Sequence, residues 1–315
     1  MPVSSKVPQR PSGSRLAKSS AKGMVQTVPA ALGLFGDHLA ELKWFVRDKT
    51  YLPKEIQGIV VDVGAGHSPH FRAHILIDKF PNDGSHRIGK PIVRRHRQSL
   101  LVWADVEKLP IKDKGVAFTI ASHLLEHLPH PGRALDELVR VGHAGYIECP
   151  ARWSETLFPY SPHLWYVALE EGRLVFAPKL NNRDRYLEDV FLPELGRRPA
   201  VRHLFRNRAF WTVRTVWVER CAYSVTGEPD HVPDFARAYA RRGLADALAK
   251  LISGAVGRFV RPSSVSEEEL ISVFCCPECK GDLGRGNGSL ICSSCRRQYL
   301  YQNRTIDFEH PTLLA

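Results

Sequence analysis

Three carboxylates and two glycines follow successive apolar runs in the first half of the chain. Asp62 precedes Gly64 and Gly66 in the sequence VVDVGAG. Asp78 ends the next apolar run, and Asp105 ends the one after it. Glycines let a ligand approach the backbone closely, and an acid at the end of such a run can accept hydrogen bonds from a ribose. The pattern therefore predicts a site for a ligand that contains a ribose.

The position of the first acid distinguishes between cofactors. A carboxylate just before the glycines would repel the pyrophosphate of a dinucleotide. It suits instead a ligand with a cationic amino-acid end, which Asp62 could face while Asp78 holds the ribose. Asp105 stands where it could accept a hydrogen bond from an adenine amino group. S-adenosylmethionine combines these groups and is the cofactor that the three acids favour.

Four segments carry a resemblance to a known family: VVDVGAG (60–66), LIDK (76–79), residues 104–141 and GYIECP (145–150). Together they resemble the class I S-adenosylmethionine-dependent methyltransferases, in the branch with the type-11 methyltransferase domain. The resemblance implies that the cofactor-binding residues are Asp62, Gly64, Gly66, Asp78, Lys79, Asp105, Val106 and Ser122.

The segment between the first two acids departs from the family pattern. Only 15 residues separate Asp62 from Asp78, and HSPHF stands where a third glycine and a helix normally begin. The sequence therefore predicts a short or degenerate first helix.

Apolar runs linked by helices or loops indicate a parallel sheet that is covered on both faces. Five such runs end near residue 150, and 131–141 has the periodicity of an amphipathic helix. The run TVRTVWVERCAYSV (212–225) is interpreted as the last strands of the same sheet. We predict an α/β fold, a doubly wound, mostly parallel seven-stranded sheet of the Rossmann-like methyltransferase type.

Histidines near the predicted acceptor side are candidates for catalysis. Methyl transfer depends mainly on orientation and desolvation, but a hydroxyl or ring-nitrogen acceptor benefits from a base. The candidate bases are His123, His127 and His163, with Glu148 as a further candidate. An alternative for His123, Glu126 and His127, spaced 0, +3 and +4, is a divalent-metal site on one helix face.

Paired cysteines near the C-terminus have the spacing of a metal site. Cys276 and Cys279 form one C-x2-C pair, and Cys292 and Cys295 form another after twelve residues. Four thiolates can close a tetrahedral structural zinc site with no open position for catalysis. The surrounding 42 residues resemble the small zinc ribbons that activate methyltransferases of tRNA, ribosomal RNA and translation factors. The resemblance implies a ribbon fused in cis that packs on its own methyltransferase domain.

Composition divides the chain into four predicted regions. The formal net charge is +11, and the basic stretch 85–99 is either a solvated loop or an anion-binding segment. No apolar run could span a bilayer and no secretory h-region is present, so we expect a cytoplasmic protein. The regions are a disordered basic tail (1–30), a methyltransferase domain (31–230) with a substrate-side insertion (151–210), a basic amphipathic helix and linker (231–266), and the zinc ribbon (267–310).

The sequence leaves the methyl acceptor open. A small-molecule or glycan-precursor acceptor is favoured by the aromatic insertion, and an RNA or translation-factor acceptor by the ribbon and the basic stretches. A non-catalytic nucleic-acid-binding protein on the same fold is the alternative of a different class. The basic helix within 231–266 either packs on the domain or makes peripheral membrane contact.

Overall fold

The computed structural model describes residues 49, 51–53, 56–80, 96–157, 159–179, 211–230 and 254–314. All of them belong to one compact unit of residues 40–315. The predicted tail (1–30) and most of the basic stretch 85–99 lie outside the described residues.

A single large sheet forms the centre of this unit. Its α/β part has the order β3-β2-β1-β4-β5-β8, and all of these neighbours except β5 and β8 are parallel. The short runs VVDV and ILID are buried along their whole length, as expected for strands covered on both faces. The strands are β1 Val60–Val63, β2 Ile75–Asp78, β3 Leu100–Trp103, β4 Val116–Ser122, β5 Gly142–Pro150 and β8 Thr212–Val218. This confirms the Rossmann-like α/β prediction.

The strand count of this sheet among the described residues differs from the predicted seven. The α/β part contributes six strands, and four strands from the cysteine-rich segment extend the sheet to ten. They are β10 Leu283–Gly286, β11 Ser289–Cys292, β12 Arg297–Gln302 and β13 Thr305–Leu313. β13 pairs in parallel with β3, where Ile306 lies opposite Val102. The reason is that β3 would otherwise leave unpaired backbone groups at a sheet edge.

Residues that follow β5 in the chain form a second sheet of three strands. It contains β6 Trp165–Glu170, β7 Arg173–Pro178 and β9 Tyr223–Val225 in the order β6-β7-β9. The prediction placed 223–225 in the large sheet and is wrong on this point. The chain turns away after β8 at Glu219, which has a positive φ of 59°, and Leu174 then lies opposite Tyr223.

The chain departs from the family's helix pattern mainly in the segment after β1. No helix forms between β1 and β2, where the described residues make only turns, so the prediction of a degenerate first helix is confirmed. Helix α1 (Pro131–Val141) begins with proline at its first position, where a missing N–H costs nothing. It buries Ala134, Leu135 and Leu138. Helices α2 and α3 span Arg152–Leu157 and Glu267–Ser272.

Only the end of the predicted basic helix is described. Residues 254–259 are helical, and a Cβ built on Gly257 would lie 3.5 Å from the Phe71 ring and 3.7 Å from His96. This end of the helix therefore packs on the α/β part of its own unit. Among the described residues, no helix is long and apolar enough to cross a bilayer.

Candidate active site

A cavity of about 930 Å³ lies at the carboxyl ends of the parallel strands. This edge is where ligands bind in open α/β sheets. All eleven residues predicted for cofactor binding or catalysis line it: Asp62, Gly64, Gly66, Asp78, Lys79, Asp105, Val106, Ser122, His123, His127 and His163.

The glycine turn after β1 brings backbone against the cavity. Gly64 and Gly66 have φ of 70° and 49°, a region that L-residues with a Cβ rarely occupy. The Gly64 N–H donates to Ile77 O at 2.9 Å, which ties the turn to the end of β2. A Cβ at Gly64 would lie 2.9 Å from Leu124 Cδ1. A side chain at this position would therefore displace Leu124, whereas glycine lets the backbone itself line the cavity.

Two carboxylates end the adjacent strands β1 and β2. Asp62 is 3% exposed, and its Oδ2 accepts a hydrogen bond from His70 N at 2.7 Å. Asp78 Oδ1 accepts one from Phe80 N at 3.0 Å. Both side chains are thus held by the turns that follow their strands, at the wall of the cavity. Such fixed acceptors suit the amino and hydroxyl groups of S-adenosylmethionine.

The third acid, Asp105, has a structural role. Asp105 caps the short 3-10 helix Val106–Lys108, where its Oδ1 accepts from Glu107 N at 2.9 Å. Its Oδ2 pairs with Lys79 Nζ at 2.5 Å. The ion pair joins the ends of β2 and β3 beside buried Val106.

His123 follows β4 in a strained conformation. Its φ is 55°, which is uncommon for a residue other than glycine and is often found at functional sites. Its Nε2 lies 3.2 Å from Glu148 Oε1, and its Nδ1 lies 3.3 Å from Glu126 Oε1. The imidazole is therefore held between two buried carboxylates at the cavity wall.

Glu148 is itself held by residues on two strands. Its Oε2 accepts a hydrogen bond from the Tyr146 hydroxyl and lies 3.2 Å from Arg214 Nε. Glu148 and Arg214 face each other because β5 and β8 pair in this register. Sequence reasoning missed Tyr146 and Arg214, since only strand pairing brings Arg214 to Glu148.

A second set of contacts fixes His163. Its Nδ1 lies 2.7 Å from Glu155 Oε2. Glu155 is buried and also accepts hydrogen bonds from Tyr160 N at 2.7 Å and from the buried Lys179 ammonium. The Tyr160 carbonyl accepts from Lys179 at 2.7 Å. The sequence missed Lys179, although the apolar run LVFAP that ends in a lysine was a signal.

His127 and His163 meet beside Glu126. Their rings are 4.6 Å apart in an edge-to-face arrangement, and His163 Nε2 lies 3.9 Å from Glu126 Oε1. His127 Nδ1 lies 3.1 Å from Pro162 O. The sequence grouped Glu126 and His127 with His123 as metal ligands, whereas the structure also brings His163 from a later loop.

Burial and mutual charge shift the ionisation of this cluster. Burial opposes ionisation of Glu126, but the proximity of His123 and the charges of His127 and His163 outweigh it and lower the pKa of Glu126 to about 2. Burial and the neighbouring His163 lower the pKa of His127 to about 4. Burial also acts against protonated His123, yet Glu126 and Glu148 raise its pKa above the ordinary value. The cluster therefore contains histidines of contrasting basicity, as acid–base sites require.

The four predicted zinc ligands converge at the other end of the unit. Cys276 Sγ lies 3.6 Å from Cys295 Sγ, and Cys279 Sγ lies 3.4 Å from Cys292 Sγ. Zinc–sulfur bonds of about 2.3 Å in a tetrahedron give sulfur–sulfur distances of about 3.8 Å. The four thiols thus fit a zinc ion, and all of them are free of disulfides.

Polar contacts join the ribbon to the α/β part. Lys280, just after the first cysteine pair, donates from Nζ to Leu109 O at 3.2 Å and pairs with Glu137 at 3.5 Å. Arg304 donates to Gln98 O at 2.5 Å and pairs with Glu267 of α3. These contacts cross the boundary at which the sequence divided the chain into domains.

One family model matches part of the chain. The family described as "Methyltransferase domain" (Methyltransf_11) matches residues 86–147, which include β3, β4, α1 and most of β5. The match supports a class I, S-adenosylmethionine-dependent methyltransferase domain in this part of the chain. No curated protein matches the chain.

Solved structures also resemble parts of the chain. An S-adenosylmethionine-dependent methyltransferase from Thermotoga maritima is 23% identical with a TM-score of 0.27, and the alignment covers 39% of this chain and 55% of that one. One from Mesorhizobium loti is 15% identical with a TM-score of 0.29, covering 48% and 71%. A chain from the complex between the Haloferax volcanii Trm112 methyltransferase activator and a methyltransferase is 16% identical with a TM-score of 0.33, covering 62% and 95%. The chain thus spans about half the length of the Thermotoga protein.

Proposed function

We propose that the protein is an S-adenosylmethionine-dependent methyltransferase that acts on a hydroxyl or amine of a small-molecule or glycan-precursor acceptor. One observation carries the proposal. Asp62 and Asp78 end adjacent parallel strands and line the same cavity as the Gly64 turn and the histidine cluster. A cofactor site and a set of acid–base groups therefore share one enclosure.

The chain's own residues would divide the work between them. Asp62 would bind the amino-acid end of the cofactor, Asp78 the ribose and Asp105 with Val106 the adenine. When bound, S-adenosylmethionine supplies an electrophilic methyl group on a sulfonium sulfur. The histidines that line the same cavity would orient the acceptor and take up its proton.

His163 is the best oriented of the three candidate bases. Its Nδ1 is held by Glu155, so Nε2 is the nitrogen that remains to accept a proton. A carboxylate that fixes the tautomer of a base is the arrangement seen in hydrolytic triads. An acceptor that reaches this buried histidine must enter the cavity, which favours a small molecule over a folded macromolecule.

We also propose that Cys276, Cys279, Cys292 and Cys295 bind one structural zinc ion. The sulfur–sulfur distances of 3.4 and 3.6 Å support it. Elemental analysis of the purified protein should find one zinc per chain that is lost in the Cys292→Ser variant. Zinc at the same level in this variant would contradict the proposal.

Calorimetric titration with S-adenosylmethionine tests the cofactor site. We expect one bound molecule per chain and at least about tenfold weaker binding in Asp62→Asn and Asp78→Asn, because each loses a charge-assisted hydrogen bond of about 1.5–3 kcal/mol. Asp282→Asn is the matched control. Asp282 is an exposed aspartate on the ribbon, and in the described part of the chain its salt bridge is with Lys112. Absence of binding to the wild type would leave the non-catalytic alternative.

The acceptor class can be read from transfer of a labelled methyl group into a fractionated cell extract. Label in the small-molecule fraction, lost in Asp62→Asn, is the expected result. Label in RNA or in a translation factor would overturn the small-molecule assignment and leave the cofactor site intact.

A further inference from the structure

A group of metal-ligand side chains lies beside the cofactor cavity, far along the chain from the cysteines. Glu126, His127 and His163 each offer a ligand atom, and the three atoms lie within 4.8 Å of one another. Both histidines line the cavity. The donor atoms come from the 3-10 helix Leu125–His127 and from the loop before β6.

Glu126 gives the strongest indication that a ligand is missing from this group. The residue is 0% exposed, and within the described part of the chain neither carboxylate oxygen has a hydrogen-bond partner. His123 Nδ1 lies 3.3 Å from Oε1 but does not form a hydrogen bond of good geometry. The nearby imidazoles of His123 and His163 are its ion-pair partners, and a buried carboxylate without hydrogen-bond donors is further stabilised when it binds a metal ion.

The two histidines are oriented as metal ligands usually are. His163 Nδ1 contacts Glu155 Oε2 at 2.7 Å, and His127 Nδ1 contacts Pro162 O at 3.1 Å. Each of these contacts places the proton on Nδ1 of a neutral imidazole and leaves the Nε2 lone pair as the donor. Metal-binding histidines characteristically donate their other N–H to a carboxylate or a backbone carbonyl.

We propose that Glu126, His127 and His163 bind a divalent transition-metal ion whose remaining positions open to the cavity. Two imidazoles and one carboxylate form a known ligand set for zinc and for other first-row ions, with room for water or substrate. If the proposed methyltransferase function holds, the ion would bind the acceptor oxygen. His127 and His163 would then be ligands of the ion, and His123, held between Glu126 and Glu148, would be a positioning residue.

Metal titration tests the site without any need for methyl transfer. Protein with its ribbon zinc in place is titrated with Mn²⁺, followed by electron paramagnetic resonance, and separately with Zn²⁺ against a colorimetric chelator. We expect one Mn²⁺ and a second Zn²⁺ per wild-type chain. Binding of both should be lost in Glu126→Gln and His163→Ala, and weakened about 10- to 100-fold in Glu155→Gln, which removes only the orienting carboxylate.

The control is His143→Ala, because His143 is an exposed histidine that pairs with Glu219. It should bind both ions as the wild type does. A variant counts as folded if it keeps the ribbon zinc and the circular dichroism spectrum of the wild type. If a variant does not fold, His163→Asn is tested in its place. The proposal is overturned if the wild type binds only the ribbon zinc, or if the Glu126 and His163 variants bind the second ion equally well.

Discussion

At the scale of single residues, the site contains two residues with a positive φ that the surrounding structure imposes. Gly64 brings backbone to the cavity at a φ of 70°. His123 is held between Glu126 and Glu148 at a φ of 55°. Such conformations persist only where the surroundings impose them. The glycine turn follows β1 and His123 follows β4. These two strands are neighbours in the sheet, and both residues line the cavity.

Replacing Gly64 by alanine should weaken cofactor binding more than it destabilises the fold. The positive φ costs about 1–2 kcal/mol, and the new methyl group would meet Leu124 at 2.9 Å or protrude into the cavity. We expect at least tenfold weaker binding of S-adenosylmethionine, measured by calorimetry.

Gly172→Ala is the matched control for this change. Gly172 also has a positive φ, 77°, but a Cβ there meets nothing within 4 Å. Its variant should lose about 1–2 kcal/mol of stability in urea denaturation from the positive φ alone, with unchanged cofactor binding. Equal binding by the two alanine variants would show that the Gly64 turn does not contact the cofactor.

At the scale of elements, a buried histidine joins three segments of the unit. His74 precedes β2, and its Nδ1 accepts a hydrogen bond from Val60 N at the start of β1 at 3.0 Å. Its Nε2 lies 3.0 Å from Ser263 Oγ, in the segment that leads to the ribbon. His74 therefore couples the sheet to the linker through a neutral ring.

The stability of this junction should depend on pH. Burial lowers the pKa of His74 below 6.5, so the unfolded chain binds a proton more readily than the folded one. The contribution of His74 is complete above pH 6.5 and is lost as the pH falls from there towards the lowered folded pKa. We expect the wild type to lose more thermal stability between pH 7.5 and 5.5 than His74→Asn, whose side-chain oxygen can still accept from Val60 N.

His130→Asn serves as the control, because His130 is exposed before helix α1. It should lose as much stability over this pH range as the wild type. If His74→Asn does the same, protonation of His74 does not contribute to the acid sensitivity.

At the scale of the whole molecule, the ribbon and the α/β part are one structure. The parallel pairing of β13 with β3 makes one ten-stranded sheet, and Ile306 and Phe308 of β13 are buried in it. A shared sheet and core should unfold as one cooperative unit. The ribbon thereby covers the edge of β3 and becomes part of the core of this unit.

Ile306→Ala should therefore destabilise the α/β part. The side chain is fully buried, and truncation of a buried isoleucine to alanine costs about 2–5 kcal/mol. Urea denaturation followed through tryptophan fluorescence, to which Trp103 and Trp217 of the α/β part contribute, should show a single transition at lower urea.

Leu313→Ala is the control on the same strand, because Leu313 is 73% exposed. Its denaturation midpoint should match that of the wild type. A tryptophan transition that does not move in Ile306→Ala, while the ribbon unfolds earlier, would show that the two parts fold independently.

The sequence by itself determined the features that are encoded within short segments. The acids and glycines at strand ends, the missing first helix and the two cysteine pairs depend on neighbouring residues and on backbone preferences. Their local spacing was therefore enough to predict the Rossmann-like sheet and to select the residues that line the cavity.

Only the tertiary structure decided which distant residues meet. His127 contacts Pro162 across 35 positions, and Arg304 contacts Gln98 across 206. Three further contacts also join segments that are distant in the sequence. His163 lies beside Glu126, Glu148 pairs with Arg214, and β13 pairs with β3. Such contacts follow from burial of apolar faces and from pairing of exposed strand edges, which act between segments and leave no signature in the spacing of either segment alone.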